Sequence, residues 1–170
     1  INEGSSFLPE KPPDNPKGQI ILPEPTEKRS AGLESAILGT PVVSSELVFY
    51  WKQQLWLENT ARLDYLLERC FDYQTIDEQG WGWNDGYYSI PVWEGKPHYS
   101  DCVAVRFRAG NGQEPRYKGL KGYGSFLYNK YCMEGADTVF IVAGELDAAL
   151  MWQDGLSAVS STNGKGSFRE

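Results

Sequence analysis

The chain has 170 residues, 41% of them hydrophobic and 14% aromatic, enough for one folded domain with an appendage and too apolar for a disordered protein. Its formal net charge of -7 argues against a generic, uniformly basic nucleic-acid binder. The 3 cysteines form no C-x-x-C pair and no long apolar run or signal peptide is present, so we expect a reduced, cytoplasmic protein without a disulfide framework or zinc site.

The first part of the chain is rich in proline. Residues 1–32 contain 6 of the 10 prolines, and only residues 19–22 have the character of a strand. Because this density of proline is incompatible with a helix or a central strand, we expect an extended linker or an arm that packs on a domain. A proline-rich peptide ligand for a partner is the alternative.

Two amphipathic helices are predicted next. Ser44 or Ser45 can cap a helix over residues 46–58, and Asn59 or Thr60 can cap a second helix. Apolar side chains recur at helical spacing in both helices and predict core packing. These residues are Leu47, Trp51 and Leu55 in the first helix, and Leu63, Leu66, Leu67 and Cys70 in the second.

Antiparallel β structure is predicted after a short helical turn over residues 75–78. The segments predicted as strands are 81–83, 87–92, 102–108 and 116–120. The first two flank Asn84-Asp85-Gly86, and Asp-Gly favours the type I′ turn of a β-hairpin. A further turn is predicted at residues 109–112.

A strand, helix and strand are predicted around Gly144. The β-branched apolar run that precedes Gly144 predicts a buried strand, and a second apolar run covers residues 156–159. The helix between them carries an apolar stripe of Leu146, Ala149 and Leu150. This order predicts a right-handed βαβ crossover with parallel strands.

Two acidic residues, Glu145 and Asp147, follow Gly144 at the predicted carboxyl end of the strand. Ligands and metals collect at this end of open α/β sheets, and carboxylates are the ligands that Mg²⁺ prefers. The alternative is that both acids only offset the macrodipole in the first turn of the helix.

A basic segment precedes the crossover. Its cations are Arg106, Arg108, Arg116, Lys118 and Lys121, within sixteen residues that contain a single acid, Glu114. Alternate residues of paired strands share a face, so we expect these side chains to form one positive surface for a nucleic-acid backbone, with Tyr117 and Tyr123 as stacking groups. The alternative is a solvated sheet face.

Residues 144–167, GELDAALMWQDGLSAVSSTNGKGS, resemble the first half of a Toprim domain. Toprim is the acidic metal-binding fold shared by bacterial DnaG-type primases, phage primase-helicases and type IA and II topoisomerases. The positions that match the family pattern are Gly144, Asp147, Gly155, Ala158 and Val159. One position departs from it, because Ala143 stands where the family has its signature Glu.

The upstream segments extend the resemblance to about residues 60–168. In DnaG-type primases a small subdomain with pieces similar to these precedes the Toprim fold. The matching pieces here are Thr75-Ile76, Gly82-Trp83, Ile90-Pro91, residues 105–108, residues 116–118 and Leu127-Tyr128-Asn129. Their order carries the resemblance, since no single piece is specific.

The resemblance implies an α+β fold, in which a small mixed α/β subdomain with antiparallel strands precedes a partial Toprim-like βαβ unit. We expect an arm at residues 1–32, a primase-core N-terminal-like subdomain at 33–134 and the Toprim-like part at 135–170. The chain is expected to be a piece of a larger protein, since the Asp-x-Asp strand of the family would lie beyond Glu170.

In function, the resemblance implies part of a DNA primase-type RNA polymerase core from a phage or mobile-element replication protein. The expected partners are single-stranded DNA and NTPs, which are used for primer synthesis. A replicative helicase domain or protein is a possible further partner. No association with a membrane is expected. The basic residues would hold nucleic acid, and Lys165 in the loop 163–167 would bind phosphate. Asp147 and Glu145 would serve catalysis and bind Mg²⁺ or Mn²⁺.

Because the metal site would be complete only in a longer chain, we expect no primer synthesis by these residues alone. The alternative function is a catalytically inactive Toprim-like module that binds nucleic acid, marked by Ala143. A third hypothesis, a Toprim nuclease or topoisomerase fragment, is disfavoured by the upstream subdomain.

Overall fold

The computed structural model describes residues 42–110 and 113–162. The predicted arm at residues 1–32, the tip of the turn at 111–112, and Lys165 with the loop 163–167 lie outside the described residues. No helix within the two described ranges is long and apolar enough to cross a membrane.

Three helices and a π-helical segment come first. They are α1 (Ser45–Gln53), the π-helical continuation Gln54–Glu58, α2 (Thr60–Glu68) and α3 (Tyr73–Glu78). The predicted cap of the first helix is confirmed, because Ser44 Oγ accepts a hydrogen bond of 3.3 Å from a backbone N–H in the first turn. Asp72 caps α3 in the same way, at 2.6 Å. Asn59 precedes α2, but its side chain donates to the carbonyl of Gln54 and does not cap the helix.

The buried stripes differ in part from those predicted. Leu47 is 39% exposed, whereas Val48 is 4% exposed and packs beside Trp51. Trp51 and Leu55 are buried as predicted, so the buried stripe differs from the expected one only in that Val48 replaces Leu47. Leu63 and Leu66 of α2 are buried as predicted. Cys70 is exposed, because α2 ends at Glu68 and the backbone at Cys70 is left-handed, with φ 70°.

The first sheet contains four antiparallel strands in the order β1-β2-β3-β4. The strands are β1 (Gly82–Asn84), β2 (Tyr87–Trp93), β3 (Cys102–Ala109) and β4 (Tyr117–Gly119). The predicted hairpin joins β1 and β2. Asp85 and Gly86 both have positive φ, 44° and 85°, as a type I′ turn requires.

The second sheet is smaller and mixed, in the order β5-β7-β6. It consists of β5 (Leu127–Tyr128), β6 (Phe140–Val142) and β7 (Ala158–Ser161), with α4 (Glu145–Gln153) between β6 and β7. The two strands that flank α4 are parallel neighbours, so the predicted pairing of the βαβ unit is confirmed. The prediction that the strand before Gly144 is buried was wrong, because β6 lies at the edge of the described sheet and Phe140 and Ile141 are exposed. A four-stranded antiparallel sheet with a smaller mixed sheet also confirms the predicted α+β class.

Both faces of the first sheet are covered. On one face, Phe107 of β3 meets Trp51 of α1 edge-on, with ring centroids 5.3 Å apart. On the other face, Ile90 of β2 belongs to a buried cluster that includes Leu66 of α2 and Ala149 of α4. Because Arg106 pairs with Ile90 across the strands, the basic end of β3 opens onto this second face.

Candidate nucleic-acid interface and metal-binding residues

The end of β3 presents two arginines on one face of the first sheet. Arg106 and Arg108 are two residues apart in the strand, and side chains at that spacing share a face. Arg106 lies opposite Gly119, and Arg108 lies opposite Tyr117. Tyr117 is therefore on the same face, next to Arg108.

Arg108 is the most buried cation among the predicted binding residues, at 9% exposed. It interacts with the phenol oxygens of Tyr65 and Tyr117. Burial acts to lower the pKa of Arg108, but these phenols outweigh burial and raise the pKa. The same interaction with Arg108 lowers the pKa of Tyr65. Arg108 thus lies next to the phenol groups of Tyr65 and Tyr117.

An open cavity of about 270 Å³ lies beside Arg108. Its lining residues are Tyr65, Arg108, Ala109, Gly110, Gln113, Glu114 and Arg116. Arg116 lies over the ring of Tyr117, with its guanidinium carbon 5.7 Å from the ring centroid. The two arginines thus share one polar, solvent-open depression.

Two further cations that were not predicted from the sequence lie in α2 and at its C-cap. The guanidinium carbon of Arg62 is 4.9 Å from the ring centroid of Trp83, and that of Arg69 is 5.8 Å from the ring centroid of Tyr65. Tyr65 in turn stacks on Tyr88 at 5.9 Å. A sequence signal existed, because Arg62, Tyr65 and Arg69 recur at i, i+3 and i+7 on one helix face.

We call this set the arginine–tyrosine surface. It consists of Arg62, Tyr65, Arg69, Arg108, Arg116 and Tyr117. The positive charges of Arg62, Arg69 and Arg108 all act on the phenol of Tyr88, which lies beneath them. Burial nevertheless raises the pKa of Tyr88 to about 12, so its phenol stays neutral.

Lys118 does not join this surface. It lies opposite Phe107, on the other face of the sheet from Arg108. Its Nζ is 3.5 Å from the ring centroid of Tyr87. The expectation that Lys118 shares one positive face with Arg106 and Arg108 was therefore wrong, because the register of β3 and β4 places it on the opposite side.

The two remaining residues of the predicted basic surface lie after β4. Lys121 is exposed there, outside the cavity beside Arg108. Tyr123, expected as a stacking group, is only partly exposed and packs against the buried core clusters. Of the two tyrosines that were expected to stack on nucleic-acid bases, Tyr117 is therefore the exposed one.

The two predicted acidic residues occupy different environments. Glu145 is 5% exposed, and its Oε1 is 3.5 Å from Nε of Arg106. That Nε is itself buried and has no hydrogen-bond partner, so the contact is an ion pair without good hydrogen-bond geometry. Burial raises the pKa of Glu145, and Arg106 offsets only part of this.

Asp147 is exposed in the first turn of α4. Its carboxylate folds back towards the helix start, since a Cβ at Gly144 would lie 3.4 Å from Asp147 Oδ2. Ala143 is also exposed, between the end of β6 and α4. The methyl group of Ala143 thus faces solvent at the position where the Toprim pattern has its Glu.

The described residues do not fit a divalent-metal centre. Within residues 42–110 and 113–162 no group of three or more His, Cys, Asp or Glu could hold a metal ion. Mg²⁺ needs oxygen ligands in near-octahedral geometry. Asp147 is exposed, whereas Glu145 is buried against a cation and Ala143 has no donor atom.

Comparison with known proteins shows a similarity in fold but no significant similarity in sequence. The sequence matches no protein-family model and no curated protein at a significant level. Among solved structures, a DnaG primase catalytic domain bound to ssDNA is similar with a TM-score of 0.57 and 16% identity. The match covers 68% of this chain and 50% of that one.

In fold, the described chain resembles DnaG primase catalytic cores. The E. coli primase catalytic core is similar with a TM-score of 0.56 and 16% identity, over 68% of this chain and 52% of that one. A DNA primase domain from Pseudomonas aeruginosa gives a TM-score of 0.56 and 16% identity, over 68% and 51% of the two chains.

This DnaG-like chain spans about half the length of the cores that it matches. At such low identity the likeness concerns the fold.

Proposed function

We propose that this chain is the N-terminal subdomain and the start of the Toprim-like half of a DNA primase-type RNA polymerase core. In this proposal it binds single-stranded DNA and NTPs for Mg²⁺-dependent primer synthesis in replication. The observation that carries the proposal is Arg108, a cation next to the phenols of Tyr65 and Tyr117 at an open depression of a DnaG-like fold.

The arginine–tyrosine surface has the chemistry that single-stranded DNA requires. Guanidinium groups bind phosphates as bidentate donors, and aromatic rings stack on bases without reading their sequence. Arg62 and Arg69 come from α2, and Arg108 and Arg116 from the end of the sheet. The cations thus line both sides of Tyr65, which suits a flexible strand with alternating phosphates and bases.

The solved DnaG primase catalytic domain bound to ssDNA supports this class of ligand by its similar fold. We assign the phosphate contacts here to Arg108, Arg116, Arg62 and Arg69, and we leave Lys118 out because it faces the other side of the sheet. Lys121 stays a candidate for the edge of the interface.

A second candidate function is a catalytically inactive, Toprim-like module that binds nucleic acid. Two observations favour it. The side chain of Ala143, after the end of β6, has no oxygen that could coordinate a metal ion, and Glu145 forms an ion pair with Arg106. In both candidates the arginine–tyrosine surface binds single-stranded DNA. They differ in whether a longer chain completes a metal site around Asp147.

The substitution Arg108→Met tests the shared part of the proposal. Met retains apolar contacts with the tyrosines but removes the charge, so affinity for an oligonucleotide of mixed sequence should fall about tenfold or more at low salt. The slope of log affinity against log salt should flatten by roughly 0.7, the value for one phosphate contact on a single strand. Fluorescence anisotropy with a labelled oligonucleotide measures both quantities.

The matched control is Lys118→Met, which removes a cation of the same strand pair from the opposite face. We expect it to leave the salt slope unchanged. Equal losses in the two variants would indicate attraction by overall charge and would contradict a localised interface.

A further inference from the structure

Arg106 and Glu145 join two parts of the fold that are distant in sequence. Arg106 lies in β3 of the first sheet, and Glu145 is the first residue of α4 in the βαβ unit. Their contact therefore links the sheet that carries the arginine–tyrosine surface to the helix turn that carries Asp147.

The burial and the pairing of these two side chains argue against metal binding by Glu145 and phosphate binding by Arg106. The side chain of Glu145 is 6% exposed and that of Arg106 is 20% exposed. A carboxylate that is enclosed and neutralised by a cation is poorly placed to bind a solvated metal ion. A guanidinium paired with a carboxylate is likewise less available to phosphate than that of Arg108, whose partners are phenol oxygens.

We propose that the ion pair between Arg106 and Glu145 positions the first turn of α4, and with it Asp147, relative to the arginine–tyrosine surface. We call this ion pair the tie. The functional part of this inference rests on the proposed binding of single-stranded DNA at that surface. Arg106 and Glu145 are positioning residues, whereas Asp147 and Arg108 are the groups that they bring into a fixed relation.

The geometry beside the pair suits this role. Arg106 lies opposite Gly119, and its Nη1 is 3.4 Å from the point where a Cβ on Gly119 would be. The guanidinium group thus runs alongside a strand position that has no side chain. Behind Glu145, the next turn of α4 is fixed in the core by Ala148 and Ala149, which are fully buried. Helix α4 is therefore held by the ion pair at its first turn and by core packing at the next turn.

A thermal unfolding series tests the tie without DNA. Arg106→Met leaves a buried carboxylate without its cation, so we expect the Tm at pH 7 to fall by roughly 4–10 °C. Adding Glu145→Gln to Arg106→Met removes the uncompensated charge and should recover at least about half of that loss. Adding Asp147→Asn instead should recover none, since Asp147 is exposed. Equal recovery by both additions, or by neither, would overturn the tie.

A second measurement reports on position, which stability alone does not. In ¹H–¹⁵N NMR spectra, Arg106→Met should shift the amide resonances of residues 144–147, and Arg106→Lys, which keeps the cation, should shift them less. Arg108→Met is the matched control from the same strand face and should leave these resonances in place. Equal shifts in the Arg106→Met and Arg108→Met variants would overturn the positioning role, and so would no shift in either.

The DNA measurement separates failure of the tie from failure of the proposed function. If the tie is correct, Arg106→Met leaves the salt slope of oligonucleotide binding within experimental error, whereas Arg108→Met flattens it. A flattened slope in Arg106→Met would show that Arg106 contacts phosphate and would overturn the tie. Absence of oligonucleotide binding by the unmodified chain would overturn the proposed function, while the unfolding series would still decide whether the two residues are coupled.

Discussion

Ala143 is the residue at which this chain departs most clearly from the Toprim pattern. It is exposed between β6 and α4, and the carboxylate of Asp147 folds back to the adjacent Gly144. A longer side chain at position 143, four residues before Asp147, would therefore extend into solvent and would not enter the core.

Replacing Ala143 by Glu should raise the affinity for Mg²⁺ or Mn²⁺. The substitution adds a second solvent-accessible carboxylate near Asp147, and affinity for hard cations rises with the number of charged oxygen ligands. We expect an increase of roughly fivefold or more, measured by isothermal titration calorimetry.

Thr138→Glu is the control, because it adds the same charge at an exposed position before the other end of β6. Similar affinities in the two variants would mean that position 143 has no special relation to Asp147. In a longer chain with the Asp-x-Asp strand, Ala143→Glu is also expected to restore polymerisation if the second candidate function holds.

Single-residue environments were the part of the site that the sequence predicted least well. Glu145 and Asp147 are equivalent as acids in a first helical turn, but one is buried against Arg106 and the other is exposed. Lys118 was assigned to the wrong face because strand register depends on pairing, and a shift of one residue reverses every side chain. Both outcomes depend on contacts between distant segments, which local patterns do not contain.

At the scale of elements, α3 is joined to both sheets by one buried glutamine. Gln79, at the C-terminal end of α3, is 1% exposed. Its Oε1 accepts a hydrogen bond of 2.9 Å from the hydroxyl of Tyr128 in β5, and its Nε2 donates to the hydroxyl of Tyr131 at 3.2 Å. Its backbone carbonyl accepts from Trp93 Nε1 of β2 at 3.2 Å.

Gln79→Met should destabilise the fold strongly. Met has a similar length but leaves the buried hydroxyl of Tyr128 without its acceptor, so we expect a loss of about 2–4 kcal/mol in the free energy of unfolding. Urea denaturation, with the midpoint lowered and the slope unchanged, measures this loss.

Gln74→Met is a control of the same residue type in the same helix. Gln74 is exposed, and its Nε2 donates to Glu78 at 2.8 Å. That change should stay within about 0.5 kcal/mol. Equal effects at the two positions would refute the view that Gln79 joins α3 to the two sheets.

Elements themselves were predicted well where a local signal fixes the backbone. Ser44 caps α1, and the Asp85-Gly86 turn joins β1 to β2. The change of pattern at Gly144 marks the boundary between β6 and α4. The exposure of Leu47 was not predicted, since Leu47 and Val48 are both apolar and only packing on the sheet selects between them.

At the scale of the whole molecule, charge is distributed unevenly in a chain with a net charge of -7. Arg69 and Arg108 lie next to Tyr65, Arg116 lies over Tyr117, and Arg62 lies over Trp83, although these arginines come from separate elements. The overall charge would repel a polyanion, so binding of DNA by the described residues requires a local positive surface of this kind. The fold of a DnaG core brings these residues together over two separated segments of sequence.

NMR can test that surface as a whole by following a titration of the ¹⁵N-labelled chain with a single-stranded oligonucleotide of mixed sequence. We expect the largest amide shifts in residues 62–69, 106–109 and 116–117, and we expect these shifts to diminish as salt is raised. Shifts centred on α1 and on the Lys118 side of the sheet, or no shifts at low salt, would contradict the assignment of the arginine–tyrosine surface as the DNA-binding site.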